Sequence, residues 1–135
     1  MTNVLLRHAA AGDREQWDGD DFHRPLDAKG RRQAEALVEA LRPLGVRRVL
    51  SSPYVRCVQT VEPLAAALGL PLEQDDRLAE GEGGAAAELL LEDGVVCCTH
   101  GDVLDALVGR GLKKAAALVV EGGAVVREIP PPKLS

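Results

Sequence analysis

Short branched apolar runs alternate with helix-period segments along this chain, and that alternation limits the fold more than any other feature. "NVLL" (residues 3–6) is bounded, branched and free of polar alternation, so it reads as a strand buried on both faces. A polar, turn-rich stretch, "AAAGDREQWDGDDFHRP", follows it as a long loop of the sort that lines sites. From Asp27 the period becomes helical. Ala34, Leu37, Val38, Leu41 and Leu44 share one face, Asp27 can cap the start, and Gly45 ends the segment.

"VRRVL" reads as a second strand, and "SSPYVRCVQTVEPLAAALG" as the helix after it. There Ser52 is the expected N-cap, Pro53 the first helical residue, and Pro63 a bend or a break into two helices. "PLEQDDRLAEGEGG" reads as irregular and acidic, and "AAAELLLED" as a shorter helix closed by Gly94. "GVVCCTH" is a third buried strand, with "GDVLDALVGRG" the helix behind it. "AALVVEGGAVVREI" carries two short strands around Gly122 and Gly123, a hairpin signal. The order predicts an α/β fold: a three-layer αβα sandwich whose central sheet is mostly parallel, with an antiparallel hairpin at its edge. Residues 1–129 would form one domain, leaving 130–135, "PPPKLS", as a disordered tail.

The 135 residues suffice for a real core, which must be built from Leu, Val and Ala because Trp17, Phe22 and Tyr54 are the only aromatics. A net charge of −5 argues against a partner bound through general electrostatics, such as a nucleic-acid polymer. No apolar run approaches the ~20 residues of a membrane span, and the start is not that of a signal peptide, so the expected location is cytoplasmic. Cys57, Cys97 and Cys98 have no CxxC spacing and read as buried, inert thiols. Cys97 and Cys98 should face opposite sides of their strand.

Chemistry concentrates at strand ends. In open α/β sheets the ligand crevice lies beyond the carboxyl ends of the strands. The first strand delivers Arg7 and His8 there, the second Ser51 and Ser52, the third Thr99 and His100. Arg56 falls in or near a first helical turn, where the helix dipole disfavours a cation unless an anion binds there. Arg7 and Arg56 would then make a fork-lined pocket for a phosphoryl group, and the small residues after His8 leave room for it.

These stretches together carry a resemblance. "LLRHAAAG" resembles the Arg-His-Gly signature of the histidine phosphatase superfamily, with Ala9 in the glycine position, a variant familiar from SixA-type phosphohistidine phosphatases. "RPLDAKGRRQA", "VLSSPYVRCVQT", "RLAEGEGG" and "CCTHGDVLDAL" follow in family order. The chain is also similar to the phosphatase domain fused behind Nudix hydrolases in some actinobacteria, although no Nudix box occurs here. The resemblance implies a metal-independent phosphatase without a cofactor, acting on a phosphorylated small molecule or phosphoprotein. His8 would be the nucleophile that becomes a phosphohistidine, Glu80 the acid, and Arg7, Arg56 and His100 the groups that hold the phosphoryl oxygens.

Glu82 competes with Glu80 for the acid role, and motif alignment favours Glu80. Only twenty positions separate Glu80 from His100, too few for the substrate lid of a phosphoglycerate mutase. SixA-type enzymes typically lack the glutamate, so a phosphomonoester stands beside phosphohistidine as a substrate. Other residues keep two readings each. Trp17 either floors a pocket or anchors the loop, and His23 is a loop residue before it is a ligand. Ser51, Ser52 and Thr99 either donate to phosphate or cap and turn. Asp102 either orients His100 or caps its helix. The competing function is a phosphate-recognition module with little catalysis. A zinc site from His8, His100 and a cysteine is poorer, since two histidines alone do not close one.

Overall fold

A computed structural model describes residues 2–134. Its sheet has six strands: β1 (Thr2–Arg7), β2 (Arg48–Ser51), β3 (Leu72–Gln74), β4 (Val95–Thr99), β5 (Ala117–Glu121) and β6 (Ala124–Ile129). They lie in the order β3-β2-β4-β1-β5-β6. The pairs β2·β3, β2·β4 and β1·β4 are parallel, while β1·β5 and β5·β6 are antiparallel. The sheet is therefore mixed as expected, with the Gly122–Gly123 hairpin at one edge.

Three α-helices flank it: α1 (Ala28–Leu41), α2 (Val55–Leu68) and α3 (Gly101–Val108). Strand alternation feeds two cores. Val4, Leu6, Val96 and Cys98 pack against Leu37, Leu41, Val61 and Leu64 from α1 and α2. Leu5, Val95 and Cys97 pack on the other face with Leu78, Leu89 and Leu104. Each fully buried Leu or Val contributes roughly 1.5–3 kcal/mol, so few aromatics are needed. The three cysteines are free and buried, and Cys97 and Cys98 do face opposite layers. Burial pushes the Cys97 thiol up to about 12, which makes it inert.

Three elements differ from the sequence expectation, one of them in two respects. "PLEQ" supplies β3, a three-residue edge strand too short and too charged to show a pattern. The second helix starts at Val55 with Tyr54 as its N-cap, because the Ser52 hydroxyl accepts the Tyr54 N–H (3.2 Å) and turns the chain before the helix begins. Pro63 does not divide that helix: buried Val61, Leu64 and Ala65 clamp both sides of the proline to the core. Ala85–Leu91 is a 3₁₀ rather than an α-helix. Its buried residues, Ala86 and Leu89, are three apart, the spacing of a three-residue turn. Residues 130–134 carry no regular secondary structure, and no described helix is long and apolar enough to cross a membrane.

The loop after β1 is tied to the helices at several points. Asp27 caps α1 by accepting from the Gly30 N–H (2.8 Å) and also accepts from the Gly12 N–H (3.1 Å). Gln33 accepts from the Ala10 N–H, Gln59 from the Leu26 N–H, and Thr60 from the Ala9 N–H. Gly30 lets the loop press onto the helix, since a Cβ there would stand 1.9 Å from the Ala10 carbonyl oxygen. Glycine to alanine in an open helix gains about 1 kcal/mol. Here the clash is with backbone and reverses the sign: Gly30→Ala should lose roughly 1–3 kcal/mol in denaturant titration.

Candidate active site

The parallel register brings three strand ends level, with Arg7 opposite Thr99 and Ser51 opposite Cys98. Arg7 and His8, Ser51 and Ser52, and Thr99 and His100 thus meet at one edge of the sheet. The His8 and His100 rings lie 5.5 Å apart, edge to face.

His8 is buried, and its Nδ1 lies 2.9 Å from the Ala9 carbonyl oxygen. A carbonyl only accepts, so Nδ1 carries the hydrogen and Nε2 keeps its lone pair. Burial pulls the imidazole down to about 3; the Ala9 hydrogen bond opposes this, while the charges of Arg56, His100 and Arg7 add to it. His8 is therefore a neutral imidazole throughout the neutral range. The same shift ties stability to pH. An unfolded histidine takes up a proton below about pH 6.5 and the folded one does not, so stability is present above that value and lost as pH falls towards 3. The stability difference between wild type and His8→Ala should change between pH 6 and 4 by up to about 1.4 kcal/mol per pH unit, to the cost of wild type, in denaturant titrations.

Arg56 is almost wholly buried at 1 % exposure. Its Nη1 donates to the Asp21 carbonyl oxygen (2.9 Å), and its Nη2 donates to the Asp21 (3.1 Å) and Glu80 (2.9 Å) carboxylates. The Tyr54 ring stacks beneath its guanidinium and edge-on to His100. Glu80 also accepts from Arg14 (2.7 Å), so both its oxygens face guanidinium groups, while Glu82 is exposed. Burial would raise the Asp21 carboxyl, but hydrogen bonding from Arg24 and the charges of Arg56, Arg14 and Arg24 outweigh it and hold the group low.

His100 Nε2 lies 2.8 Å from the Ser52 hydroxyl and 3.6 Å from Cys57 Sγ. The Ser52 hydroxyl also accepts from the Tyr54 N–H, so it ties the His100 ring to the turn before α2. Arg7 donates through Nη1 to the Leu112 carbonyl oxygen and packs against Gly101. Among the described residues, three buried side-chain nitrogens have no hydrogen-bond partner: Arg7 Nε, Arg56 Nε and His100 Nδ1. All three belong to residues expected to hold a phosphoryl group.

The other polar residues divide. Ser52 orients His100 rather than capping α2. Ser51 donates to the Ser52 carbonyl oxygen and Thr99 to that of Leu78, both structural contacts. Asp102 accepts from the Gly81 N–H, so it holds the Glu80 loop and leaves His100 alone. His23 is exposed beside Phe22, and the Trp17 Nε1 donates to the Asp20 carbonyl oxygen. Asp21, Arg14, Tyr54 and Lys114 were missed. They lie outside the periodic segments: Asp21 and Tyr54 meet Arg56 of α2, Arg14 meets Glu80, and Lys114 shares a cavity with Arg7.

Comparison with known proteins gives the family and the fold. Residues 4–93 match the family model of the histidine phosphatase superfamily (branch 1). The chain belongs to that superfamily. It is 40 % identical over 116 residues to an 8-oxo-(d)GTP phosphatase of Mycolicibacterium smegmatis, covering 79 % of this chain and 36 % of that protein. It is 34 % identical over 85 residues to the probable phosphoglycerate mutase GpmB of Salmonella arizonae, covering 59 % of this chain and 38 % of that one. The chain thus spans little more than a third of the length of these superfamily relatives. In fold it resembles the protein histidine phosphatase SixA complexed with tungstate, with a TM-score of 0.79, 23 % identity and 97 % of each chain covered.

Proposed function

We propose that this histidine phosphatase domain hydrolyses a phosphorylated small molecule through a phosphohistidine on His8. Superfamily membership and phosphatase-named relatives support a phosphatase. The observation that carries the site assignment is the trio of buried, unpartnered nitrogens on Arg7, Arg56 and His100. A buried polar atom without a partner costs about 1–3 kcal/mol, and three beside one nucleophile mark the place of an anion. Phosphoryl transfer is mainly positioning plus neutralisation of the equatorial oxygens, which fixed guanidinium groups supply.

His8 Nε2 attacks phosphorus, the bond to the leaving oxygen breaks, and water then cleaves the N–P bond. Glu80 stands as proton donor for leaving groups that need one, after a phosphoryl oxygen takes its place on Arg56. A module that only bound phosphate would need the three nitrogens. It would not need a neutral imidazole with a free Nε2, which favours the enzyme. The M. smegmatis relative makes nucleotides the first substrates to try.

Turnover of p-nitrophenyl phosphate in EDTA, inhibited competitively by vanadate, is the expected result. Vanadate should also raise the Tm by ligand linkage. Loss of activity in EDTA with recovery on adding a divalent metal would contradict the metal-free reading.

A further inference from the structure

Beside His8 lies a cavity of about 380 Å³ walled by Arg7, Arg14, Arg24 and Lys114, with Asp13 as its one acid. Such a concentration of cations is unusual in a chain of net charge −5. Arg14 and Arg24 are answered by Asp21 and Glu80. Lys114 has no ion pair or hydrogen bond among the described residues. Its side chain is exposed on the cavity wall, and partial burial with the charges of Arg7 and Arg24, against an opposing Asp27, lowers the pKa of its amine. Arg24 engages Asp21 through Nε and the Ala11 carbonyl oxygen through Nη1, which leaves its Nη2 side. Neither Lys114 nor Arg24 is among the groups expected to hold the transferred phosphoryl group, which are Arg7, Arg56 and His100.

We propose that Lys114 and Arg24 form a second anion subsite, and that the substrate is an organic diphosphate whose terminal phosphoryl group is the one transferred. This rests on the phosphatase reading above and names the substrate class of that site. The leaving group supplies a second argument. Both Glu80 oxygens accept from guanidinium groups, so neither is free to pass a proton to a leaving oxygen while those contacts hold. An alkoxide needs that proton; a phosphate, with a second pKa of about 6, leaves as the anion.

His8 Nε2 bonds to the terminal phosphorus as the bond to the bridging oxygen breaks. The electron pair stays on that oxygen, on a phosphate ester neutralised by Lys114 and Arg24. Water then adds its oxygen to the phosphoryl group, the pair of the N–P bond returns to Nε2, and one proton goes to solvent. An adjoining groove of about 260 Å³ shares Gly12, Asp13 and Arg24 with the cavity and is walled by Trp17, Pro25 and Leu26. It is placed to take the organic part.

Calorimetric titration in EDTA compares inorganic pyrophosphate with inorganic phosphate. Pyrophosphate should bind at least tenfold more tightly, Lys114→Met should abolish the difference, and Lys114→Arg should keep most of it. In parallel, the ratio of kcat/KM for ADP to that for p-nitrophenyl phosphate should fall at least tenfold in Lys114→Met. Equal affinities for the two anions in wild type, or equal losses on both substrates in Lys114→Met, would overturn the subsite while leaving a phosphatase in place. A Lys114-dependent pyrophosphate preference in a protein that never phosphorylates His8 would overturn the phosphatase reading and keep the subsite.

Discussion

Replacing His8 by alanine should lower kcat on p-nitrophenyl phosphate by on the order of 10⁴-fold or more, because no other group can form the covalent intermediate. His100 is the nearest imidazole, but its Nε2 is engaged by Ser52. It cannot take over as nucleophile without breaking that contact. The fold should survive, since His8 contributes a buried polar ring held by one hydrogen bond to its own chain neighbour. A folded, vanadate-binding and inactive His8→Ala protein is the expected outcome, checked by circular dichroism, calorimetry and steady-state kinetics together.

Arg56→Ala should lower kcat/KM by about 10²–10³-fold, the usual cost of removing a preorganised donor from developing charge. Its effect on stability should be smaller than for a typical broken buried pair. Asp21 keeps Arg14 and Arg24, and Glu80 keeps Arg14, so neither carboxylate is stranded. The expected loss is about 1–3 kcal/mol in denaturant titration. Arg56→Lys should recover part of the stability and little of the activity, because an ammonium cannot reach Asp21, Glu80 and a phosphoryl oxygen at once. Equal activity in Arg56→Lys and wild type would mean that the guanidinium fork is not used.

The strand ends were legible because a strand buried on both faces must be apolar until it leaves the sheet. Arg7, His8 and His100 interrupt such runs, and parallel pairing then brings them to one edge. Arg56 was legible as a cation at the wrong end of a helix. What escaped was short or aperiodic: β3 has three residues, and the loop that brings Asp21 and Arg24 over the site has two single 3₁₀ turns capped by Asp13 and Asp20. No hydrophobic period marks such turns, and their position is set by Gln33, Gln59, Thr60 and Gly30 gripping the backbone from two helices. Ser52 was misplaced as a cap because its hydroxyl serves the turn before α2 and the His100 ring instead. Lys114 shows no signal in sequence; its meaning depends on which cations the fold sets beside it.

Transfer of the phosphoryl group to His8 is the centre of this account, and rapid quenching tests it most directly. Protein mixed with substrate, stopped in base within milliseconds and read by intact mass and peptide mapping should carry one added phosphoryl group. That group should lie on the peptide containing His8, persist in base, be lost in acid, and be absent from His8→Ala. Steady turnover with no phosphoryl group trapped at any quench time, or trapping on a residue other than His8, would contradict it.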